Sequence, residues 1–107
     1  TIDLNSIKKM TPAQLDRVKS LGSQAEAVLK NRDFAQFVHQ FKFERLDLLT
    51  EITGVADEDN SRRVAIAHQL AGVDEFIKTL KRSVYFRDRV VQQQTQADEK
   101  SDINNIE

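Results

Sequence analysis

The side chains best suited to metal or acid–base chemistry stand apart from one another in this chain. His39 and His68 are its only two histidines, and it has no cysteine. Neither histidine sits in an HExxH or comparable spacing, so neither has a second ligand one helical turn away. Both are expected on solvated helix faces. Asp57, Glu58, Asp59 and Asn60 form an acidic run like part of a calcium loop. The central glycine and closing glutamate of such a loop are missing, so helix capping is the expected role. There is no glycine-rich phosphate loop, no GxSxG and no cysteine nucleophile. The acidic pairs lie on charged helix faces with no implied pocket. The expectation is a non-enzyme with no catalytic residue, no metal and no cofactor.

One stripe carries a different chemistry. Lys78, Arg82 and Arg89 share a helical face with Tyr85, and Lys81 and Arg87 lie near it. Cations around an aromatic ring can meet phosphates. Asp74, Glu75 and Asp88 are interleaved, however, which makes a solvated face with i,i+4 charge pairs the simpler expectation. Globally, 16 Lys and Arg stand against 17 acids, a formal net charge of −1. That balance does not favour nucleic acid over protein as the partner.

Two mirrored apolar repeats must position these residues. Phe34, Val38, Phe41, Arg45, Leu48 and Ile52 alternate by four and three, and so do Ile66, Leu70, Val73, Ile77, Leu80 and Val84. This is the spacing of helices packed along a seam. Read outward from the acidic turn, Ile52 mirrors Ile66, Leu48 mirrors Leu70, Arg45 mirrors Val73, Phe41 mirrors Ile77, Val38 mirrors Leu80 and Phe34 mirrors Val84. An antiparallel helical hairpin is the fold that produces such a mirror.

The helix ends are also signalled. Thr11, Pro12 and Gln14 suit a capping box and a first-turn proline. The helix they open shows Leu15, Val18, Leu21, Ala25 and Val28 on one face, with Gly22 tolerated inside it. Asp33, with Gln36 three residues on, is placed to open the second helix, and Gly54 to stop it. The expected fold is all-α, with helices at about 12–30, 34–53 and 59–92 in one domain, residues 1–96. It forms a hairpin with the first helix packed alongside, like a three-helix bundle. The polar stretch 97–107 loses the repeat and is expected to fray.

Five apolar residues are candidates for partner contact. Phe43 and Leu46 point away from the seam, either to receive the first helix or to meet a second subunit. Tyr85, Phe86 and Val90 continue beyond Val84, the mate of Phe34. They are either a docking end or covered by the amino-terminal arm through Ile2, Leu4 and Ile7. Arg45 is the one charge in the first seam. It is read either as a register lock, in an ion pair with Asp74 or with a partner chain, or as a stem lying across the seam edge with its head in water.

Residues 31–84 resemble short all-helical proteins encoded in the packaging and assembly gene clusters of tailed bacteriophages. The matching stretches are NRDFAQFVHQFKFERLDLLTEI, the acidic turn VADEDNSRR, and VAIAHQLAGVDEFIKTLKRSV. The resemblance implies a structural or adaptor role in a virion or head-assembly intermediate, in several copies, with self or other viral structural proteins as partners. The hairpin is also similar in architecture to the ring wall of some small terminase subunits, which implies an alternative role in DNA packaging. In those proteins a helix-turn-helix precedes the wall, whereas here one helix and an arm precede it. A regulatory hairpin that binds a host protein is a further alternative. Residues 1–10 lack the apolar core of a signal peptide, and no apolar run approaches the roughly 18 residues of a membrane span. The expected location is the virion or the host cytoplasm.

Overall fold

The computed structural model describes residues 4–105 and shows four helices. They are α1 (Leu4–Lys8), α2 (Pro12–Lys30), α3 (Arg32–Glu51) and α4 (Asp57–Asn105). The chain divides into two compact units. One comprises residues 1–27 and 80–107, the other residues 28–79.

Local chemistry explains most of the helix ends. At the start of α2 the Thr11 N–H donates to Gln14 Oε1 at 2.9 Å, and the Gln14 N–H donates to Thr11 Oγ1 at 3.2 Å. Both halves of the expected capping box are therefore made. Asn31 rather than Asp33 caps α3, with its Oδ1 accepting from the Phe34 N–H at 2.9 Å. Asp33 falls in the first turn, where it still favours the helix dipole. The helix thus begins two residues earlier than the spacing suggested. It also ends earlier, at Glu51, because Ile52 turns extended. Gly54 has no positive φ and lies in the connecting loop instead of stopping the helix.

In the first unit, α1 is an element the sequence pattern did not indicate. Ile7, Val18 and Val90 form its buried cluster, with Met10, Leu15 and Phe86 packed around them. Val90 is 1% exposed. Gly22 marks a close approach of α2 to α4. A Cβ there would lie 2.8 Å from the Ser83 carbonyl oxygen and would collide with the Arg87 side chain. Arg87 crosses this contact to Glu26 and also pairs with Asp88 at 2.9 Å. The hydrogen bond to Glu26 is the main reason its guanidinium is held above its ordinary pKa.

α4 runs well beyond residue 92 and is helical through Asn105, while residues 106–107 of the polar stretch lie outside the described residues. No proline or glycine interrupts it there, and Gln, Ala, Glu and Lys are good helix formers. Lys19 Nζ donates to Gln94 Oε1 at 3.1 Å, tying that part of α4 to α2.

The second unit is a helical hairpin of α3 and the first half of α4. The expected seam positions within it, from Phe34 to Ile52 and from Ile66 to Ile77, are all at least partly buried. Only Ile52 and Ile66, beside the turn, are fully so. Arg63 closes the turn. Its guanidinium donates to the Ile52 carbonyl at 3.1 Å, to the Gly54 carbonyl, and to Asn60 Oδ1 at 2.8 Å. Asp59 caps α4 by accepting from the Ala56 N–H at 3.2 Å. Its carboxylate lies so close to Gly54 that a side chain there would collide with it.

Candidate interaction surfaces

The polar contacts within the hairpin differ from those its mirrored register suggested. Asp74 pairs with Lys42 at 2.6 Å, not with Arg45. This hydrogen bond lowers the Asp74 pKa from its ordinary value. Arg45 instead lays its guanidinium over the Phe41 ring, 4.5 Å from the centroid. The two are i,i+4 neighbours on one face, so the cation–π contact forms within α3. Arg45 Nε is buried without a hydrogen-bond partner. The ring of Phe34 meets Phe76 edge-on, with centroids 6.4 Å apart, a pair the mirror did not include. Phe76 lies at the flank of the seam, and an edge-to-face aromatic pair adds about 0.5–1.5 kcal/mol beyond area burial.

Two apolar surfaces remain open on the hairpin. Phe34, Phe37, Phe41 and Phe76 line an open groove of about 470 Å³ beside the seam, and Gly72 has open space where a side chain would begin. The other surface is the outer face of α3. No residue of α3 is fully buried. Phe37 is 75% exposed, Phe43 63% and Leu46 53%. Within the hairpin unit, Phe43 and Leu46 are thus left more than half uncovered. Phe43, Asp47 and Glu51 form one i,i+4 row, with Leu46 and Thr50 beside it. Glu44 lies at the edge and accepts from Gln40 Nε2 at 2.8 Å.

The expected docking end beyond Val84 separates into two classes. Tyr85 is exposed at 52%, with its ring 5.5 Å from that of Phe86. Phe86 and Val90 face the other way and belong to the core with Ile7. Val90 is fully buried and Phe86 partly so, which is the cover by the amino-terminal arm through Ile7; the side chains of Ile2 and Leu4 lie outside the described residues. Of the basic residues, Lys78 is exposed and 3.7 Å from Glu75. Arg82 is exposed, and Arg89 is half-buried with its Nη1 donating to Gln92 at 3.1 Å. His39 and His68 are both exposed. Among the described residues no group of three or more His, Cys, Asp or Glu could hold a metal ion, and no helix is long and apolar enough to cross a membrane.

Sequence reasoning missed Arg63 as the clasp of the turn, Gly22 as the site of close helix approach, and Lys42 as the partner of Asp74. The acidic turn followed by arginine was visible, but which carbonyls that arginine would reach was not. The chain matches no protein-family model, no curated protein and no solved structure.

Proposed function

We propose that this chain is a non-enzymatic helical adaptor that works by docking the outer face of α3 onto another helix in a larger assembly. One observation carries the reading: a helix of 20 residues buries none of them fully, yet presents Phe37, Phe43 and Leu46 to solvent. Exposed large apolar side chains grouped with charges at their edge are the composition of interaction surfaces. The resemblance of residues 31–84 to short helical proteins of phage packaging and assembly clusters supports a bacteriophage particle, or its head-assembly intermediate, as the setting.

Photo-crosslinking tests this. With benzoylphenylalanine in place of Phe43, irradiation during phage growth yields a discrete higher-mass adduct. The same probe at Ala71, exposed on α4, yields none. Adducts of equal yield at both positions, or at neither, would refute a docking role for this face. Recovery of the chain in purified particles separates a virion component from one that acts only during assembly.

A further inference from the structure

The outer face of α3 has an uneven edge. Asp47 and Glu51 continue the row of Phe43, and Glu44 lies one position further round. All three are exposed. The nearby cations are engaged elsewhere, Lys42 with Asp74 and Arg45 with the Phe41 ring. The patch is therefore apolar at its centre and acidic along one side. It needs an occupant that brings an apolar or aromatic group and cations together.

The same chain carries such a surface on α4. Tyr85 is exposed, with Lys81 four residues before it, Arg82 three before it and Arg89 four after it. At about 100° per residue these four share one face, with Asp88 at its edge held by Arg87. Neither Lys81 nor Arg82 makes an ion pair with a described residue. Arg89 is half-buried with its Nη1 on Gln92, and Arg87 is committed to Glu26 and Asp88, so Lys81 and Arg82 are the cations this face leaves open.

Resting on the adaptor reading above, we propose that the occupant of the α3 face is the basic Tyr85 stripe of a second copy of this chain. Phe43 and Leu46 would receive the tyrosine ring, and Asp47, Glu51 and Glu44 would face Lys81 and Arg82. Charge complementarity favours this pairing over an antiparallel pairing of two α3 faces. If two such faces met antiparallel about a two-fold axis, the acidic edge would oppose itself, and like charges across an interface are strongly disfavoured. Two different surfaces meeting head to tail make a heterologous contact, which propagates into a ring or a filament.

The test is a charge exchange on the full-length chain, read by sedimentation velocity across a concentration series, with helix content checked by circular dichroism. One variant is Asp47→Lys with Glu51→Lys, and the other is Lys81→Glu with Arg82→Glu. All four residues are exposed, so both variants retain wild-type helix content. The wild type self-associates, and the association weakens about tenfold or more between about 0.05 M and about 0.5 M salt. Each variant alone loses at least about tenfold in affinity, and an equimolar mixture of the two regains association. A wild type that stays monomeric at every concentration overturns the proposal, as does a mixture that does not recover. If both variants associate like the wild type while Phe43→Ser with Leu46→Ser does not, the Tyr85 stripe is the wrong occupant and the adaptor reading stands. Salt-sensitive retention of a monomeric wild type on a short random DNA duplex, lost in Lys81→Glu with Arg82→Glu, assigns the stripe to nucleic acid and also overturns the proposal.

Discussion

The two units of this chain use similar helices to different ends. In the unit of residues 1–27 and 80–107, Ile7, Val18, Ala25 and Val90 are buried and Gly22 lets two helices come within backbone distance. In the hairpin of residues 28–79, only Ile52 and Ile66 are buried, and Phe37, Phe43, Leu46, Val64 and Phe76 stay exposed. The first unit closes a buried cluster of its own, with Leu21, Tyr85 and Val91 left exposed around it. The hairpin keeps apolar surface that its own residues do not cover. The buried cluster lies in the first unit and the larger open apolar surface in the hairpin, so substitutions of the same kind should have different consequences in each.

The largest effect is expected from Val90→Asp. A carboxylate buried among Ile7, Val18 and Phe86 has no partner there, and an uncompensated buried charge costs about 3–5 kcal/mol. Thermal unfolding should show a large drop in Tm, whereas Phe43→Asp, on the open face, should move Tm little. Comparable losses at the two positions would remove the distinction between the units.

Alanine at two glycines sharpens the same contrast with a change of sign. Gly22→Ala adds a methyl where the Ser83 carbonyl and the Arg87 side chain leave no room, at an expected cost of about 1–3 kcal/mol. Gly72→Ala points into open space on a helix and should stabilise by about 0.5–1 kcal/mol. Denaturant titrations of both variants should shift their midpoints in opposite directions. Equal shifts would mean that the close approach at Gly22 does not exist.

The smallest expected effect belongs to the Lys42–Asp74 pair. Its carboxylate has a lowered pKa in the folded chain, so the stability it adds is present above the ordinary carboxylate value near 3.8 and is lost as pH falls through the lowered one. Wild type and Asp74→Asn should therefore differ in Tm at neutral pH, begin to converge as pH falls below the ordinary carboxylate value, and meet only below the lowered one. The difference should also shrink with added salt, because both side chains are substantially exposed. A difference that grows on acidification would contradict the assignment.

What could be read from the residues follows from the range of the physics involved. The Thr11–Gln14 capping box and the partly buried seam positions depend on spacings of a few residues, which the chain itself displays. The residues left Phe86 and Val90 open between a docking end and cover by the amino-terminal arm; Ile7, on a five-residue helix far away in sequence, packs against them, and no local pattern could choose between the two. Asp74 had two cations within reach of one helical face. Arg45 was drawn to Phe41 on its own helix, which left Lys42 to the acid. The outer face of α3 was legible as Phe43 and Leu46 turned from the seam. Its being left open was not, since that depends on every other element.

Amide hydrogen exchange, followed residue by residue at concentrations below and above self-association, tests the central claim most directly. The account predicts slow exchange at residues 15–25 and 83–92 under both conditions, and faster exchange along residues 36–50 that slows when the chain associates. If residues 36–50 are as protected as residues 15–25 in the isolated chain, the face of α3 is already covered and the account is contradicted.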